Sequence, residues 1–333
     1  MSWPTNHHPR AIMTVSILQA DARHLPIADK SVDLVFCSPP YEAARTYGIG
    51  FDLRGQEWVN WAVDCFMEAM RVCRGLVAWN CEGQTRKFQW SATPALLMAD
   101  LHRRGVKLRK PPIFHRVGIP GSGGPDWLRN DYEFIVCGTS DGRLPWSNNT
   151  AMGHPPKWAP GGEMSNRTND GARRNQWGGT KSNGTHRKSS GEGVERYERP
   201  SHRFLTKDEK LAIGGKRHTK RDPDASREQV YLEPVLANPG NVIKCKVGGG
   251  QMGSKLTHEN EAPFPEALAE FFVRSFCPPG GIVLDTFSGS GTTAAVAVMN
   301  GRNAIATDIR ESQCELTRRR VAEAENRKSL FAA

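Results

Sequence analysis

The chain has 333 residues, with 45 Lys and Arg against 35 Asp and Glu and a net charge of +10. Such a length can bury one large hydrophobic core and carry an appended module. It contains no run of 18 apolar residues and begins with a polar segment, so we expect neither a membrane span nor a secretory signal. The eight cysteines form no C-x-x-C pair, and the histidines show no ligand spacing with them. We therefore expect reduced cytosolic thiols and no metal site.

The first candidate site follows a buried strand. Five of the six residues from Val32 to Cys37 are apolar, which is typical of a parallel strand covered on both faces. Two prolines must end this strand because they have no N–H to donate. The segment that follows it reads Ser38, Pro39, Pro40 and Tyr41. In open α/β sheets, ligands bind at the carboxyl ends of strands. A hydroxyl, a proline carbonyl and an aromatic ring there predict a site for chemistry on a nucleobase amino group.

The next elements are interpreted as core. Apolar residues between Trp58 and Met70, including Trp61, recur at helical spacing and predict an amphipathic helix. A strand is predicted over Gly75–Asn80. A second helix is predicted over Thr93–Arg104, with a proline in its first turn, where proline is tolerated.

The middle of the chain carries most of the net charge. Residues 141–256 contain 21 Lys and Arg against 12 Asp and Glu, with few aliphatic side chains. Much of this segment is expected to be disordered when free. It could be a solvated linker, or an insertion that contacts DNA phosphates and base edges. We favour the second interpretation, with these candidate DNA-binding residues: Arg173, Arg174, Arg187, Lys188, Lys216, Arg217, Lys220 and Arg221.

The C-terminal part predicts a second ligand loop. A helix over Pro263–Phe276 precedes a short strand that ends at Asp285, and a glycine-rich turn and a further helix follow. Glycines at 289 and 291 let a ligand approach the backbone, and the helix N-terminus offers unpaired N–H groups. The next strand ends at Asp308, a carboxylate suited to two ribose hydroxyls. The spacing also fits the dinucleotide fingerprint.

Chain length argues against a dinucleotide domain. Only 25 residues follow Asp308, and residues 312–328 look like a single basic helix. The sheet must therefore be completed by the N-terminal strands, predicted over Val15–Gln19, Ser31–Cys37 and Gly75–Asn80. In this circularly rearranged order, the Ser38 loop and the glycine-rich turn lie side by side at one edge of a three-layer α/β domain.

These motifs resemble those of the β-class amino DNA methyltransferases. In that family a catalytic (D/N/S)-P-P-Y, here residues 38–41, precedes D-x-F-x-G-S-G-T-T, here residues 285–293. Residues 258–268 are similar to its H-x-A-x-F-P-x-x-L segment, with one extra residue after the His. Residues 301–308 are similar to its G-R-x-x-I-G-x-(D/E), and residues 131–136 to the strand that flanks the target base. The resemblance covers roughly residues 13–140 and 235–325.

The resemblance implies a Rossmann-like methyltransferase fold with a mixed, mostly parallel sheet and circularly permuted motif order. It divides the chain into a flexible N-terminus (1–12), a catalytic half (13–140), a basic and partly disordered target-recognition insertion (141–234) and an S-adenosylmethionine-binding half (235–333).

The implied activity is site-specific transfer of a methyl group from S-adenosylmethionine to the N4 of a flipped-out cytosine. Ser38 and the Pro39 carbonyl would accept hydrogen bonds from the amine, Pro40 would complete the rigid turn, and Tyr41 would stack on the base. Serine at the first motif position favours N4-cytosine. Methylation of adenine N6 by the same fold stays open, as does a catalytically silent DNA-binding protein.

The resemblance also implies cofactor contacts. The loop that contacts the methionine and ribose would contain Phe287, Gly289, Gly291 and Thr292. Asp308 would hold the ribose hydroxyls, and Asp21 would lie near the adenine. At the methionine end, Phe264 and Pro265 would be close to the ligand, and Asp285 would lie near the methionine amino group. The expected partner is double-stranded DNA, with no membrane. A cognate restriction endonuclease and a homodimer are left open. The expected location is the cytoplasm, associated with the nucleoid, for a prokaryotic or phage-encoded protein.

Overall fold

The computed structural model describes residues 13–43, 45, 47–118, 126–155, 216–217, 230–231, 236–248 and 250–330. The chain divides into a larger unit, Met1–Met152 with Gly240–Ala333, and a smaller one, Gly153–Pro239. Among the described residues, no helix is both long enough and apolar enough to cross a membrane.

The described part of the chain contains regular elements with the following bounds. In chain order they are β1 (Val15–Gln19), β2 (Val32–Cys37), α1 (Gly55–Val72), β3 (Cys73–Cys81), β4 (Thr85–Arg86), β5 (Gln89–Trp90), α2 (Thr93–Arg103), β6 (Lys107–Leu108), β7 (Ile113–Val117), β8 (Tyr132–Thr139), β9 (Lys216–Arg217), β10 (Val230–Tyr231), β11 (Val242–Lys246), a 3₁₀ helix (Lys255–Glu259), α3 (Glu266–Phe276), β12 (Ile282–Asp285), α4 (Thr292–Met299), β13 (Asn303–Asp308) and α5 (Glu311–Leu330).

The larger unit is built on one mixed, mostly parallel sheet. Its strand order is β1-β13-β12-β2-β3-β8-β7-β11, with β6 paired to β8. The five strands from β1 to β3 run parallel to one another. The β8 strand is antiparallel to both β3 and β7, and β11 is parallel to β7. The predicted fold class is confirmed.

The sheet joins the two ends of the chain in the predicted rearranged order. β1 pairs with β13 over its whole length, and β12 pairs with β2 through Val283 with Leu34 and Leu284 with Val35. Because β2 and β12 are neighbouring parallel strands, their carboxyl ends meet at one edge of the sheet. The loop at Ser38 and the glycine-rich turn therefore lie side by side.

Two hydrophobic cores cover the two faces of this sheet. On one face, Val35 and Cys37 of β2 pack in a cluster with the buried side of α1. On the other face, Leu34 and Phe36 pack with α3 and α4, and the ring of Phe36 stacks on Phe272 at 4.6 Å between centroids. Burial on both faces explains the nearly continuous apolar sequence of β2. Each large side chain buried in this way contributes about 1.5–3 kcal/mol.

Local backbone geometry adjusts the predicted element bounds. The helix predicted from Pro263 begins at Glu266, because Pro265 is extended and serves as its N-cap. The strand predicted over Gly75–Asn80 extends to Cys73–Cys81. Gly75 is required there, because a Cβ atom at this position would lie 1.9 Å from the Asp33 carbonyl oxygen.

The smaller unit contains the antiparallel pair β9–β10 and a bridge between His154 and Ala237. Lys216 and Arg217 form β9. The other predicted DNA-binding residues lie outside the described residues, namely Arg173, Arg174, Arg187, Lys188, Lys220 and Arg221. The N-terminal segment 1–12 also lies outside them, and the predicted domain boundaries stay predictions.

Candidate active site

A cavity of about 320 Å³ opens at the carboxyl edge of the sheet. This volume lies at the lower end of the range for small-molecule sites. Ten of the thirteen residues predicted for the catalytic and cofactor sites line it, and they are Asp21, Ser38, Pro39, Pro40, Tyr41, Phe264, Phe287, Gly289, Thr292 and Asp308. Pro265, Asp285 and Gly291 are not among the lining residues.

The Ser38 hydroxyl is oriented as a hydrogen-bond acceptor toward the cavity. Its Oγ lies 3.0 Å from the backbone carbonyl oxygen of Asn80 and 3.3 Å from the Tyr41 hydroxyl, and it donates to the nearer of the two, Asn80. A hydroxyl has a single hydrogen, so once that hydrogen is donated its oxygen can only accept. The Pro40 carbonyl accepts from the Trp58 indole N–H at 2.8 Å, whereas the described residues donate no hydrogen bond to the Pro39 carbonyl. Two acceptors, Ser38 Oγ and the Pro39 carbonyl, are thus available at this end.

A buried polar network fixes the Tyr41 ring. The Tyr41 hydroxyl donates to Glu133 Oε2 at 2.7 Å and accepts from the Asn80 amide at 2.9 Å. The Asn80 amide also donates to Glu133 Oε2 at 2.6 Å, and Arg116 pairs with Glu133 Oε1 at 3.1 Å. Burial, reinforced by the charge of Glu133, raises the pKa of Tyr41 well above its usual value of 10. Tyr41 is therefore a neutral ring held by its own hydroxyl.

Asn80 and Glu133 were not predicted as site residues. Both are buried polar side chains in otherwise apolar strands, β3 and β8. A buried polar side chain needs a hydrogen-bond partner. A polar residue within an apolar strand is therefore the sequence feature that could have identified Asn80 and Glu133 as site residues. Three more buried atoms of this region have no partner among the described residues, namely Asn80 Oδ1, Glu82 Oε2 and Arg116 Nε. Burial also raises the pKa of Glu82.

The glycine-rich turn holds the Asp308 carboxylate in place. Gly289 N–H donates to Asp308 Oδ2 and Arg310 N–H donates to Asp308 Oδ1, both at 3.0 Å. Each carboxylate oxygen keeps a further lone pair for a ligand hydroxyl. Gly289 has a φ of +49°, and a Cβ atom there would lie 2.9 Å from the Asn260 amide nitrogen. A larger residue would therefore strain the backbone and displace Asn260, which also lines the cavity.

Gly291 has a structural role behind the cavity wall. It has a φ of +75° as the N-cap of α4, and a Cβ atom there would lie 2.9 Å from the backbone of Thr317 on α5. Glycine is thus required for close packing of the turn against a helix, while Gly289 forms the surface that faces the cavity.

Asp285 ends β12 below this turn and is 2% exposed. Its Oδ1 accepts a hydrogen bond from the Phe287 N–H at 3.0 Å. Burial raises the pKa of Asp285 from 3.8 to about 7. A buried carboxylate of this kind is expected to favour a cationic partner.

Aromatic side chains form one wall of the cavity. The Phe287 ring lies 5.7 Å from Trp61 and 5.4 Å from Trp79, and Trp61 lies 5.0 Å from Phe51, measured between centroids. Trp61 was interpreted as core because it lies on the apolar face of α1. It packs against the core and also lines the cavity. Helical spacing alone cannot separate these two environments.

Asp21 lines the cavity after the end of β1, beside Arg23. The Arg23 guanidinium bonds the Asp21 carboxylate at 2.6 Å and lowers the pKa of that carboxyl.

The thiol of Cys37 is buried 3.3 Å from the Thr286 hydroxyl, and burial raises the pKa of this thiol well above its usual value. A thiol held in its protonated form is a poor nucleophile.

A family model described as DNA methylase, covering N6 and N4 methyltransferases, matches residues 32–319 of the chain. The orphan methyltransferase M.BamHII of Bacillus amyloliquefaciens is 33% identical over 114 residues, which are 32% of this chain and 43% of the relative. The DNA adenine methyltransferase YhdJ of Escherichia coli (strain K12) is 42% identical over 57 residues, or 17% of this chain and 19% of the relative. The matched segments thus span less than half the length of these relatives.

The fold also matches a solved structure. The PvuII DNA methyltransferase (cytosine-N4-specific) superposes with a TM-score of 0.58 and 15% sequence identity, over 95% of this chain and 92% of that chain. At this level of identity the similarity shows a shared fold.

Proposed function

Because the chain belongs to the DNA methylase family, we propose that it transfers a methyl group from S-adenosylmethionine to an exocyclic amino group of a base in double-stranded DNA. The observation that carries this proposal is that Ser38 and Tyr41 line the same cavity as Gly289 and Asp308. A methyl donor held at one end would face an amine held at the other.

The cofactor end offers groups that match S-adenosylmethionine. Asp308 would accept hydrogen bonds from the ribose hydroxyls, and Asp21 would lie toward the adenine. Phe264, which lines the cavity, and Pro265, which caps α3, would contact the methionine end. Asp285 does not itself line the cavity, but Thr286 and Phe287, which follow it directly, do. A methionine ammonium group that reaches past them would give Asp285 its cationic partner.

The base end offers acceptors for an aromatic amine. The lone pair of such an amine is delocalised into the ring, so the nitrogen is a weak nucleophile. Hydrogen bonds from the amine to Ser38 Oγ and the Pro39 carbonyl would draw it toward tetrahedral geometry, and its lone pair would then point at the methyl group. Transfer would be direct and in line. Holding two reactants in this geometry can supply about 7–11 kcal/mol, and acceptors around the nitrogen would stabilise its developing positive charge.

The base must leave the helix to reach this cavity. A target atom inside a duplex is inaccessible to an enclosed site, so enzymes that modify bases extrude them. Tyr41, fixed by Glu133 and Asn80, would stack on the extruded base and recover about 1–3 kcal/mol.

Cytosine N4 is the proposed target, supported by the neutral hydroxyl of Ser38 at the first motif position. A cytosine-N4-specific enzyme shares the fold. Adenine N6 is the second candidate, because a DNA adenine methyltransferase is among the relatives and a hydroxyl acceptor serves either amine. A catalytically silent DNA-binding protein is less well supported, because it would need no cavity that joins the two motifs.

We further propose that the basic insertion contacts DNA through the clusters predicted within residues 141–234, of which Lys216 and Arg217 lie in β9. A restriction partner or a homodimer is compatible with this activity but is not required by it. The proposed site of action is the DNA of a bacterial or phage-infected cell.

The test is methylation of DNA by cells that express the protein, read by long-read sequencing, which reports base, context and activity together. Ser38→Ala and Tyr41→Ala are expected to lower the methylation rate by about 10²–10³-fold while changing the dissociation constant for S-adenosylmethionine less than about 2-fold. The matched control is Ser31→Ala, just before β2 at its opposite end. Wild-type rates in both site variants would refute the assignment.

A further inference from the structure

An unusual turn connects β4 and β5. The two strands pair through Thr85 with Trp90 and Arg86 with Gln89, so Lys87 and Phe88 form the whole connection. Both have positive φ, +49° and +63°. Two-residue turns of this kind strongly prefer Asn-Gly, and a residue with a Cβ atom, an aromatic above all, is strained there. Folding alone does not favour Phe at this position.

The ring of Phe88 points into solvent. It is 78% exposed, whereas most large apolar side chains of this unit are buried. Lys87 beside it places a positive charge at the same tip. The hairpin therefore presents an apolar ring and a cation together, at a strained turn.

The base of this hairpin is attached to the catalytic edge of the sheet. The Arg86 guanidinium donates to the carbonyl of Ala43, two residues after Tyr41, at 2.8 Å. The Trp90 indole donates to Glu82 Oε1 at 2.9 Å, and its ring lies 6.1 Å from Phe134, the neighbour of Glu133. Both strands of the hairpin are thus anchored beside the groups that hold Ser38 and Tyr41.

We propose that Phe88 enters the DNA base stack at the position from which the target base is extruded, with Lys87 facing an adjacent phosphate. This inference rests on the proposed function, because only an extruded base leaves such a gap. Apolar side chains enter base steps in this way, and an aromatic ring restores part of the lost stacking. The positive charge of Lys87 is complementary to the phosphate backbone. The paired strands β4 and β5 support the turn, so the ring is presented as a wedge before DNA binds.

The test compares two duplexes that carry the methylated sequence, once sequencing has identified it. One duplex is fully paired, and in the other the target base lies opposite an abasic site and is already unstacked. Phe88→Ala is expected to lower kcat/KM on the paired duplex by about 10-fold and on the unpaired target by less than about 2-fold. Phe88→Trp is expected to keep most of the wild-type rate. Met67→Ala, which removes an exposed apolar side chain of α1, is the matched control.

Equal kcat/KM values for Phe88→Ala and wild type on the paired duplex would overturn the proposal that Phe88 is a wedge. An equal loss of kcat/KM on both duplexes would overturn it as well. The melting temperature should not change, because the ring is 78% exposed. If it falls, Phe88→Leu replaces Phe88→Ala, and the comparison of the two duplexes is repeated with that variant. Failure of the unchanged protein to methylate either duplex would instead overturn the proposed function, and the wedge with it.

Discussion

Replacing Asp285 by Asn is expected to stabilise the unliganded protein and to weaken cofactor binding. The carboxyl group is 2% exposed, and burial raises its pKa from 3.8 to about 7. A rise of about three pKa units corresponds to about 4 kcal/mol of cost for the ionised form. Asn has nearly the same shape, can keep the hydrogen bond from Phe287 N–H, and carries no charge.

The sign of the effect follows from proton linkage. Because the folded-state pKa of Asp285 lies above its unfolded value, its contribution to stability is fully present below about pH 4 and is lost as the pH rises through about 7. Asn has no carboxyl group to ionise, so the variant loses no stability at this position as the pH rises. Its advantage over wild type in the free energy of unfolding should therefore grow from near zero at pH 4 to about 4 kcal/mol at pH 8.

Cofactor binding should change in the opposite direction. A hydrogen bond between a carboxylate and the methionine ammonium contributes about 1.5–3 kcal/mol, so Asp285→Asn should raise the dissociation constant for S-adenosylmethionine by about 10- to 150-fold. For wild type, affinity should increase as the pH rises toward about 7, where the carboxyl ionises.

The assays are urea unfolding of the apo-protein at pH 5 and pH 8 and calorimetric titration with S-adenosylmethionine. Asp64→Asn, an exposed carboxyl on α1, is the matched control and should change neither quantity. If Asp285→Asn matched wild type in stability at pH 8 and bound the cofactor equally well, both the burial argument and the assigned role would be refuted.

Two further substitutions test the ends of the cavity. Glu133→Gln should lower single-turnover methylation by about 10²-fold with little change in cofactor affinity, because Tyr41 and Asn80 lose their charged acceptor. It should also lower the free energy of unfolding by about 1–3 kcal/mol, because Arg116 loses its carboxylate partner and keeps its bond to the Asn130 carbonyl. A variant with full activity would show that the network does not position Tyr41. Gly289→Ala should weaken S-adenosylmethionine binding at least about 10-fold and cost about 1–3 kcal/mol of stability, since it combines a positive φ with a contact to Asn260. Unchanged affinity in a calorimetric titration would remove Gly289 from the cofactor site.

The adjacency of the two loops could be predicted because both follow short apolar strands. The apolar run of β2 requires cover on both faces, and the strand that ends at Asp285 has the same character. In the structure these two strands are parallel neighbours, so Ser38 and Gly289 lie at the same edge of the sheet. The prediction depends on hydrophobic pattern and on the turn residues after each strand, both of which are visible in the sequence.

The polar network could not be predicted in the same way. Asn80 and Glu133 meet because β3 and β8 are antiparallel neighbours, with Asn80 opposite Ile135 in the register. Their separation of 53 residues leaves no periodic signal in the sequence. Gly291 was predicted to contact the cofactor but does not line the cavity, and the reason is related. The motif shows that a glycine is needed there, but only the position of α5 shows that the need comes from helix packing.

The distribution of charge around the cavity is matched to methyl transfer rather than to acyl transfer. Transfer from a sulfonium to an amine moves one positive charge from sulfur to nitrogen and creates no anion. A suitable site therefore needs acceptors at both ends of the path, not the donors of an oxyanion hole. In the proposed site, Asp285 and Asp308 would supply negative charge at the cofactor end. At the proposed base end, the Ser38 hydroxyl donates to the backbone carbonyl of Asn80, and the side-chain amide of the same residue donates to Glu133. Asn80 thus directs the only hydrogen of the Ser38 hydroxyl away from an incoming amine. Its own position is fixed by Glu133, which also pairs with Arg116, so the Ser38 oxygen can act at this end only as an acceptor.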